Sequence, residues 1–115
     1  MNATGCIFCK IVAGEIPADL VSETEHTVAF RDINPQADVH VLVVPRRHEP
    51  DIASLSAADP EATAALLAET RRIADAECGG QYRLVFNTGE AAGQTVFHAH
   101  GHVLGGEFRS GPFAG

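Results

Sequence analysis

Three histidines at every-other position, His98, His100 and His102, lie within Phe97-His98-Ala99-His100-Gly101-His102-Val103-Leu104 and constrain this chain more than any other stretch. Successive side chains of an extended strand point to opposite faces. The spacing therefore predicts a strand with all three imidazoles on one face, about 7 Å apart at roughly 3.3 Å of rise per residue. A single strand histidine is commonly a hydrogen-bonded structural residue, whereas three buried in alternation would each need a partner. The row reads as a site. Either its imidazoles bind a metal, or one of them acts as nucleophile or proton carrier near neutral pH.

Composition narrows the rest. The 115 residues suit one domain, 1–115, and 45% apolar with 20% charged residues is the balance of an ordinary globular protein. No apolar run approaches the roughly 20 residues needed to cross a bilayer. Met1 to Cys6 lacks the basic and apolar regions of a signal peptide. A cytoplasmic protein with no membrane partner is expected. Eight basic against fifteen acidic residues, net −7, disfavour nucleic acid, which is bound through clustered Lys and Arg. A single phosphate on a small molecule remains compatible with a local pocket.

Three cysteines are an odd number for a disulfide framework. Cys6 and Cys9 form a C-x-x-C pair, half of a tetrahedral zinc site if two further ligands arrive from elsewhere, with His48 and His98 as candidates. Packing of two small thiols is the alternative, and no βαβ pattern supports a redox role. Cys78 has no evident partner and is assigned no chemistry.

Along the chain, Gly14-Glu15-Ile16-Pro17 ends a short N-terminal helix begun at the cysteines. Thr27–Phe30 and Val39–Val44 read as strands joined by the turn-rich Asp32-Ile33-Asn34-Pro35-Gln36. Asp32 could accept from a sugar diol or simply cap its own turn, and His40 is either a core group or part of the site. Arg46 and Arg47 read as a solvated turn. Asp59-Pro60-Glu61 starts a helix whose buried stripe is expected at Leu66, Leu67, Thr70, Ile73 and Ala74, with Glu69, Arg71, Arg72 and Asp75 wet. Gly79-Gly80 stops it. A strand from Tyr82 to Phe86 ends at Asn87. The loop Gly89 to Thr95 is either a hairpin connection or an anion cradle without the P-loop ending. Gly105 to Gly115 reads as a tail with little structure. This succession suggests an α+β domain with an antiparallel sheet.

His98-Ala99-His100-Gly101-His102-Val103-Leu104 resembles the His-x-His-x-His-x-x pattern of the histidine triad (HIT) superfamily. Cys6 to Ile11, Gly14 to Ala18, Phe30 to Ala37, His40 to Pro45, Asn87 and Gly93-Gln94-Thr95 resemble the same family in the same order. Val103-Leu104-Gly105-Gly106 is closer to the Hint branch of nucleoside phosphoramidases than to Fhit-like dinucleotide hydrolases. The resemblance implies an α+β HIT fold: an antiparallel sheet with one main helix and a short N-terminal helix, assembled as a homodimer. It implies an enzyme that cleaves P–N bonds of purine nucleoside phosphoramidates and releases AMP. His100 would be the nucleophile that forms a nucleotidyl-histidine, with His102 on the phosphate and His40 in support. Asp32 and Ile33 would meet ribose and base, and Asn87, Gly93, Gln94 and Thr95 the phosphate. Cys6, Cys9, His48 and His98 would hold a structural zinc. A dinucleoside polyphosphate hydrolase and a low-activity nucleotide-binding scaffold are the alternatives. Gly101 departs from the larger apolar residue of the pattern. The segment Glu107 to Phe113 lacks the aromatic ending of animal Hint proteins, which leaves the leaving group open.

Overall fold

The computed structural model describes residues 5–109. Met1 to Thr4 and the Ser110 to Gly115 part of the expected tail lie outside the described residues. Five antiparallel strands form one sheet in the order β1-β2-β3-β5-β4. They are β1 (Leu20–Glu23), β2 (Thr27–Arg31), β3 (Ala37–Pro45), β4 (Arg83–Val85) and β5 (Gly101–Phe108). The helices are α1 (Ile7–Val12), α2 (Ile52–Ala58) and α3 (Pro60–Cys78), with a single 3₁₀ turn at Glu90–Ala92.

The two faces of the sheet are covered unequally, and this creates the site. Odd-numbered β3 residues Val41 and Val43, with Ala29 and Val103, pack under α2 and α3 through Leu55, Ala62, Leu66, Ile73 and Ala74. Even-numbered Leu42 and Val44 join Val28, Phe30 and Phe8 on the opposite face. The alternation is the strand period of two, buried on both sides at the central strands. Among the described residues, the helical cover of the second face is α1, six residues long, with Ala18 and Val96 packed beside it. Much of it is left open.

α3 begins and ends where its residues dictate. Asp59 Oδ1 accepts the Ala62 N–H at 3.0 Å, Pro60 takes the first turn, and Gly79 closes the helix at φ 62°. Its buried stripe differs from the expected one at two positions. Leu67 is exposed and Glu69 is buried. Glu69 lies three residues after Leu66, on the stripe, whereas Leu67 is turned about 100° away. The carboxylate is tolerated there because Ser22 donates to it at 2.6 Å and Arg72 holds it with bonds of 2.6 and 2.8 Å.

Two elements carried no expectation. β1 is a short edge strand. α2 is capped by Asp51, which accepts the Ser54 N–H at 2.8 Å, and it runs into Asp59. The expected unstructured tail is corrected at its start, since β5 continues through Gly105 and Gly106 to Phe108 paired with β3. Gly105 lies where the end of α3 comes closest, with Cys78 Sγ in the space a side chain would need. Gly101 is explained by Phe86: a Cβ added there would stand 2.9 Å from Phe86 Cζ. The aromatic ring of the neighbouring segment replaces the larger side chain of the family pattern.

Candidate active site and metal centre

The histidine row is not one continuous strand. β5 begins only at Gly101, where the β3 ladder ends at the Val43–Gly101 pair. His98 and His100 precede it. There Ala99 N–H donates to Glu49 O at 2.8 Å, tying the segment to the turn after β3. His98 and His100 still meet α1, with the Phe8 ring edge-on to them at 6.1 and 5.1 Å. His100 and His102 have centroids 5.0 Å apart, closer than ideal strand spacing.

The three do not converge on one point, so a metal bound by the row itself is not what this geometry offers. His98 turns Nδ1 toward Cys6 Sγ and Cys9 Sγ, each at 3.5 Å, and toward His48 Nδ1 at 3.2 Å. Cys9 Sγ lies 3.2 Å from His48 Nδ1. All four donor atoms fall within 4.8 Å of one another. Zinc bonds of about 2.3 Å to sulfur and about 2.0–2.1 Å to nitrogen give tetrahedral edges of about 3.5 Å (N···S) and about 3.4 Å (N···N). The measured separations fit those edges. His98 Nε2 donates to Pro45 O at 2.8 Å, which leaves the Nδ1 lone pair facing the cluster, the tautomer a metal requires. A second convergent group, Asp32, His40 and His102, belongs to the adjacent cavity.

Hydrogen bonds assign the protons of the other imidazoles. A carbonyl only accepts, so His100 Nδ1–H donates to His98 O at 2.8 Å, and the neutral ring keeps its lone pair on Nε2. Gln36 N–H donates to His40 Nδ1 at 3.0 Å. His40 therefore carries its proton on Nε2, facing His102 Nδ1 at 3.0 Å and Asp32 Oδ2 at 3.4 Å. His102 in turn is left with its proton on Nε2. Burial pushes His102 down to about 3, reinforced by His100 and His40, and His98 down to about 4. Burial also lowers His100, opposed by the bond to the His98 carbonyl, and lowers His40, opposed by Asp32. These four imidazoles, His40, His98, His100 and His102, rest neutral at pH 7.

His100 and His102 open onto a cavity of about 480 Å³. Asp32, Ile33 and Thr95 also line it, as do Phe8, Ile11, Ile16, Phe30 and Val96, none of which had been singled out. Gln94 is a correction. It is 3% exposed, its amide gives both N–H groups to Pro50 O and Val96 O at 2.6 and 3.0 Å, and Oε1 accepts Gly89 N–H at 2.9 Å. No donor remains for a phosphate, and the side chain instead braces the loop that presents Thr95. Asn87 and Gly93 do not line this cavity either. Asp32 takes the turn role considered for it, accepting Asn34 N–H at 2.8 Å through Oδ1, while Oδ2 faces His40 at 3.4 Å.

The HIT domain family model matches residues 13–109. The chain belongs to the HIT family. It is 40% identical over 102 residues to the purine nucleoside phosphoramidase of Escherichia coli (strain K12), covering 87% of this chain and 86% of that protein. It is 44% identical over 111 residues to an uncharacterized HIT-like protein of Synechocystis, covering 96% and 97%. Among solved structures, the HIT family hydrolase of Legionella pneumophila superposes with TM-score 0.86 at 44% identity, covering 94% of this chain and 98% of that one. A HIT family hydrolase of Clostridium thermocellum gives TM-score 0.87 at 35% identity, covering 97% and 99%. The antiparallel α+β architecture is thus the HIT fold, in a family of hydrolases. Among the described residues, no helix of this HIT protein is long and apolar enough to cross a membrane.

Proposed function

We propose that this chain is a nucleoside phosphoramidase that hydrolyses the P–N bond of purine nucleoside phosphoramidates and releases AMP. One observation carries the reading: the His98 carbonyl holds the Nδ1 proton of His100, leaving Nε2 as the basic nitrogen of a buried ring that lines the cavity. An imidazole so held is a nucleophile without needing a separate base.

The base would lie against Ile11, Ile16, Phe30 and Ile33, and Asp32, which lines the same cavity, would accept from a ribose hydroxyl. The substrate's anionic phosphate, arriving beside His102, favours the protonated form of that imidazole. His100 Nε2 attacks phosphorus, the P–N bond breaks, and His102 gives its Nε2 proton to the departing nitrogen, which leaves as the neutral amine. Water then attacks phosphorus, the bond from phosphorus to His100 Nε2 breaks, and one water proton goes to His102. AMP and free His100 result. His40, hydrogen-bonded to His102, sets the tautomer needed for this exchange.

The charge distribution supports an amidate over a dinucleoside polyphosphate. Among the described residues the cavity's one guanidinium, Arg31, is paired with both carboxylate oxygens of Glu77 at 2.9 and 3.0 Å. A polyphosphate leaving group would find little counter-charge. We further propose that Cys6, Cys9, His48 and His98 hold a structural zinc, whose chemistry is to cross-link α1 to the approach to β5. Sheet edges at β1 and β4 are available for the homodimer implied by the resemblance.

Mass spectrometry of protein quenched during turnover of adenosine 5′-phosphoramidate tests the reading. A nucleotidyl adduct on His100, absent in His100→Ala, is expected. Undiminished turnover by His100→Ala would sink it, and tight AMP binding without cleavage of any amidate would favour the scaffold instead.

A further inference from the structure

The cluster of two thiols and two imidazoles is open on one side. A cavity of about 360 Å³ reaches it there, lined by Cys6 and His48 next to Phe97, which is 48% exposed. Cys9 does not line this cavity and is only 2% exposed. A small solute entering from water meets Cys6 first.

The two sulfurs are placed to combine. Cys6 caps α1 and Cys9 lies three residues on, which puts both side chains on one face of the first turn. Cys9 N–H donates to Cys6 Sγ at 3.3 Å, and the sulfurs belong to a set of donor atoms that all fall within 4.8 Å of one another. A disulfide holds its sulfurs about 2.05 Å apart, so less than about 3 Å of travel closes the bond.

That closure dismantles the cluster. Cys9 Sγ stands 3.2 Å from His48 Nδ1 and 3.5 Å from His98 Nδ1, and a disulfide sulfur carries no charge with which to hold a metal. Two imidazoles remain, half of a tetrahedral site. His98 carries the consequence to the cavity. It precedes β5, so its position rests in part on its own side chain and on the Ala99 N–H bond to Glu49 O. Its carbonyl is the group that holds the Nδ1 proton of His100.

We propose that Cys6 and Cys9 form a site of reversible oxidation, at which a hydroperoxide converts the pair to a disulfide and, by releasing His98, turns His100 off. Cys6 Sγ attacks the terminal oxygen of the peroxide, the O–O bond breaks, and the alcohol (water, from hydrogen peroxide) leaves with the Cys6 thiol proton. Cys6 is then a sulfenic acid. Cys9 Sγ attacks Cys6 Sγ, the S–O bond breaks, and water departs with the Cys9 thiol proton. Two electrons have passed from the sulfurs to the peroxide; where a metal holds the pair as thiolates, the two protons come from solvent. The pair acts on its own chain and needs no βαβ frame. Only the effect on rate rests on the phosphoramidase reading.

The test treats reduced protein of measured zinc content with hydrogen peroxide and follows three readouts: non-reducing peptide maps after alkylation, hydrogen exchange at the Ala99 amide, and kcat on adenosine 5′-phosphoramidate. A Cys6–Cys9 disulfide is expected while Cys78 still alkylates, with zinc released and faster exchange at Ala99. The rate should fall on the order of 10- to 100-fold and return with dithiothreitol and zinc. In Cys9→Ser, dimedone should trap a sulfenic acid on Cys6, whereas in Cys6→Ser the buried Cys9 should stay unmodified at the same dose. Oxidation of Cys78 before any Cys6–Cys9 disulfide appears overturns the site. So does dimedone labelling of Cys9 in preference to Cys6, which reverses the order of attack. A disulfide that leaves Ala99 exchange as it was overturns the link to His98. Wild type that cleaves no amidate even when reduced overturns the phosphoramidase reading alone, because the maps and the exchange need no substrate.

Discussion

The carbonyl oxygen of His98 accepts the Nδ1–H of His100 at 2.8 Å, while the imidazole of the same His98 points away into the cluster with Cys6, Cys9 and His48. One residue thus belongs to the candidate metal centre through its side chain and orients His100, the proposed nucleophile, through its backbone. Loosening the cluster is expected to move that carbonyl. Cys9→Ser should cost one zinc per chain by metal analysis and lower kcat on the order of 10- to 100-fold, because small displacements of a reacting group are expensive. KM should change less, since the proposed base and ribose contacts lie elsewhere. Unchanged kcat in a protein shown to have lost its metal would separate the two sites.

Gln94 makes three hydrogen bonds in a buried position and braces the loop before Thr95. Gln94→Ala leaves two carbonyls and one N–H without partners, at a cost of about 1–3 kcal/mol for each group that stays dry. Urea unfolding should show a clear loss of stability. Gln94→Glu should be no better, because a carboxylate set against the Pro50 and Val96 carbonyls offers no donors. Both variants should also raise KM through Thr95. A glutamate variant as stable as wild type would contradict the assigned bonds.

Burial holds the His102 imidazole at about 3, below its ordinary 6.5. A lowered histidine has no effect on stability at high pH, where both folded and unfolded forms are neutral. As pH falls below 6.5 the unfolded chain takes up the proton first, so stability declines until the folded pKa near 3 is reached. The slope for one such group is at most about 1.4 kcal/mol per pH unit. Unfolding free energies at pH 7 and pH 5 should therefore differ, with acid the weaker condition. His102→Gln should flatten the dependence by up to one proton; an unaltered slope would mean that this imidazole charges freely in the fold.

Gly101 and Phe86 share one space, as the 2.9 Å approach of a built Cβ to Phe86 Cζ indicates. Gly101→Val should destabilise by about 1–3 kcal/mol through overpacking. Combining it with Phe86→Ala should recover part of that loss. A double-mutant cycle by urea unfolding reads the coupling directly, and additive losses would show that the ring moves aside without cost.

Much of this protein was legible from short-range pattern. Asp59-Pro60 and Gly79 bound α3 because capping needs only neighbours within one turn, and β2 and β3 follow from their apolar runs. The family pattern and the four candidate metal ligands were equally visible. Less visible were β1 and α2, whose few residues carry weak periodicity, and the burial of Glu69, which depends on Ser22 from a distant strand. Backbone acceptors leave no trace in side-chain identity, so neither the His98 nor the Pro45 carbonyl could be anticipated.

By itself the sequence determined which chemistry was available: imidazoles in a row, two thiols at helical spacing, an acid after a strand. Only the tertiary structure decided which nitrogen of each imidazole carries its proton, that His98 leaves the row for the thiols, and that Gln94 faces inward while Phe97 faces out. The reason is physical. Residue type sets what a group can donate or accept, but its tautomer, burial and partner depend on atoms brought together across the sheet from dozens of residues away.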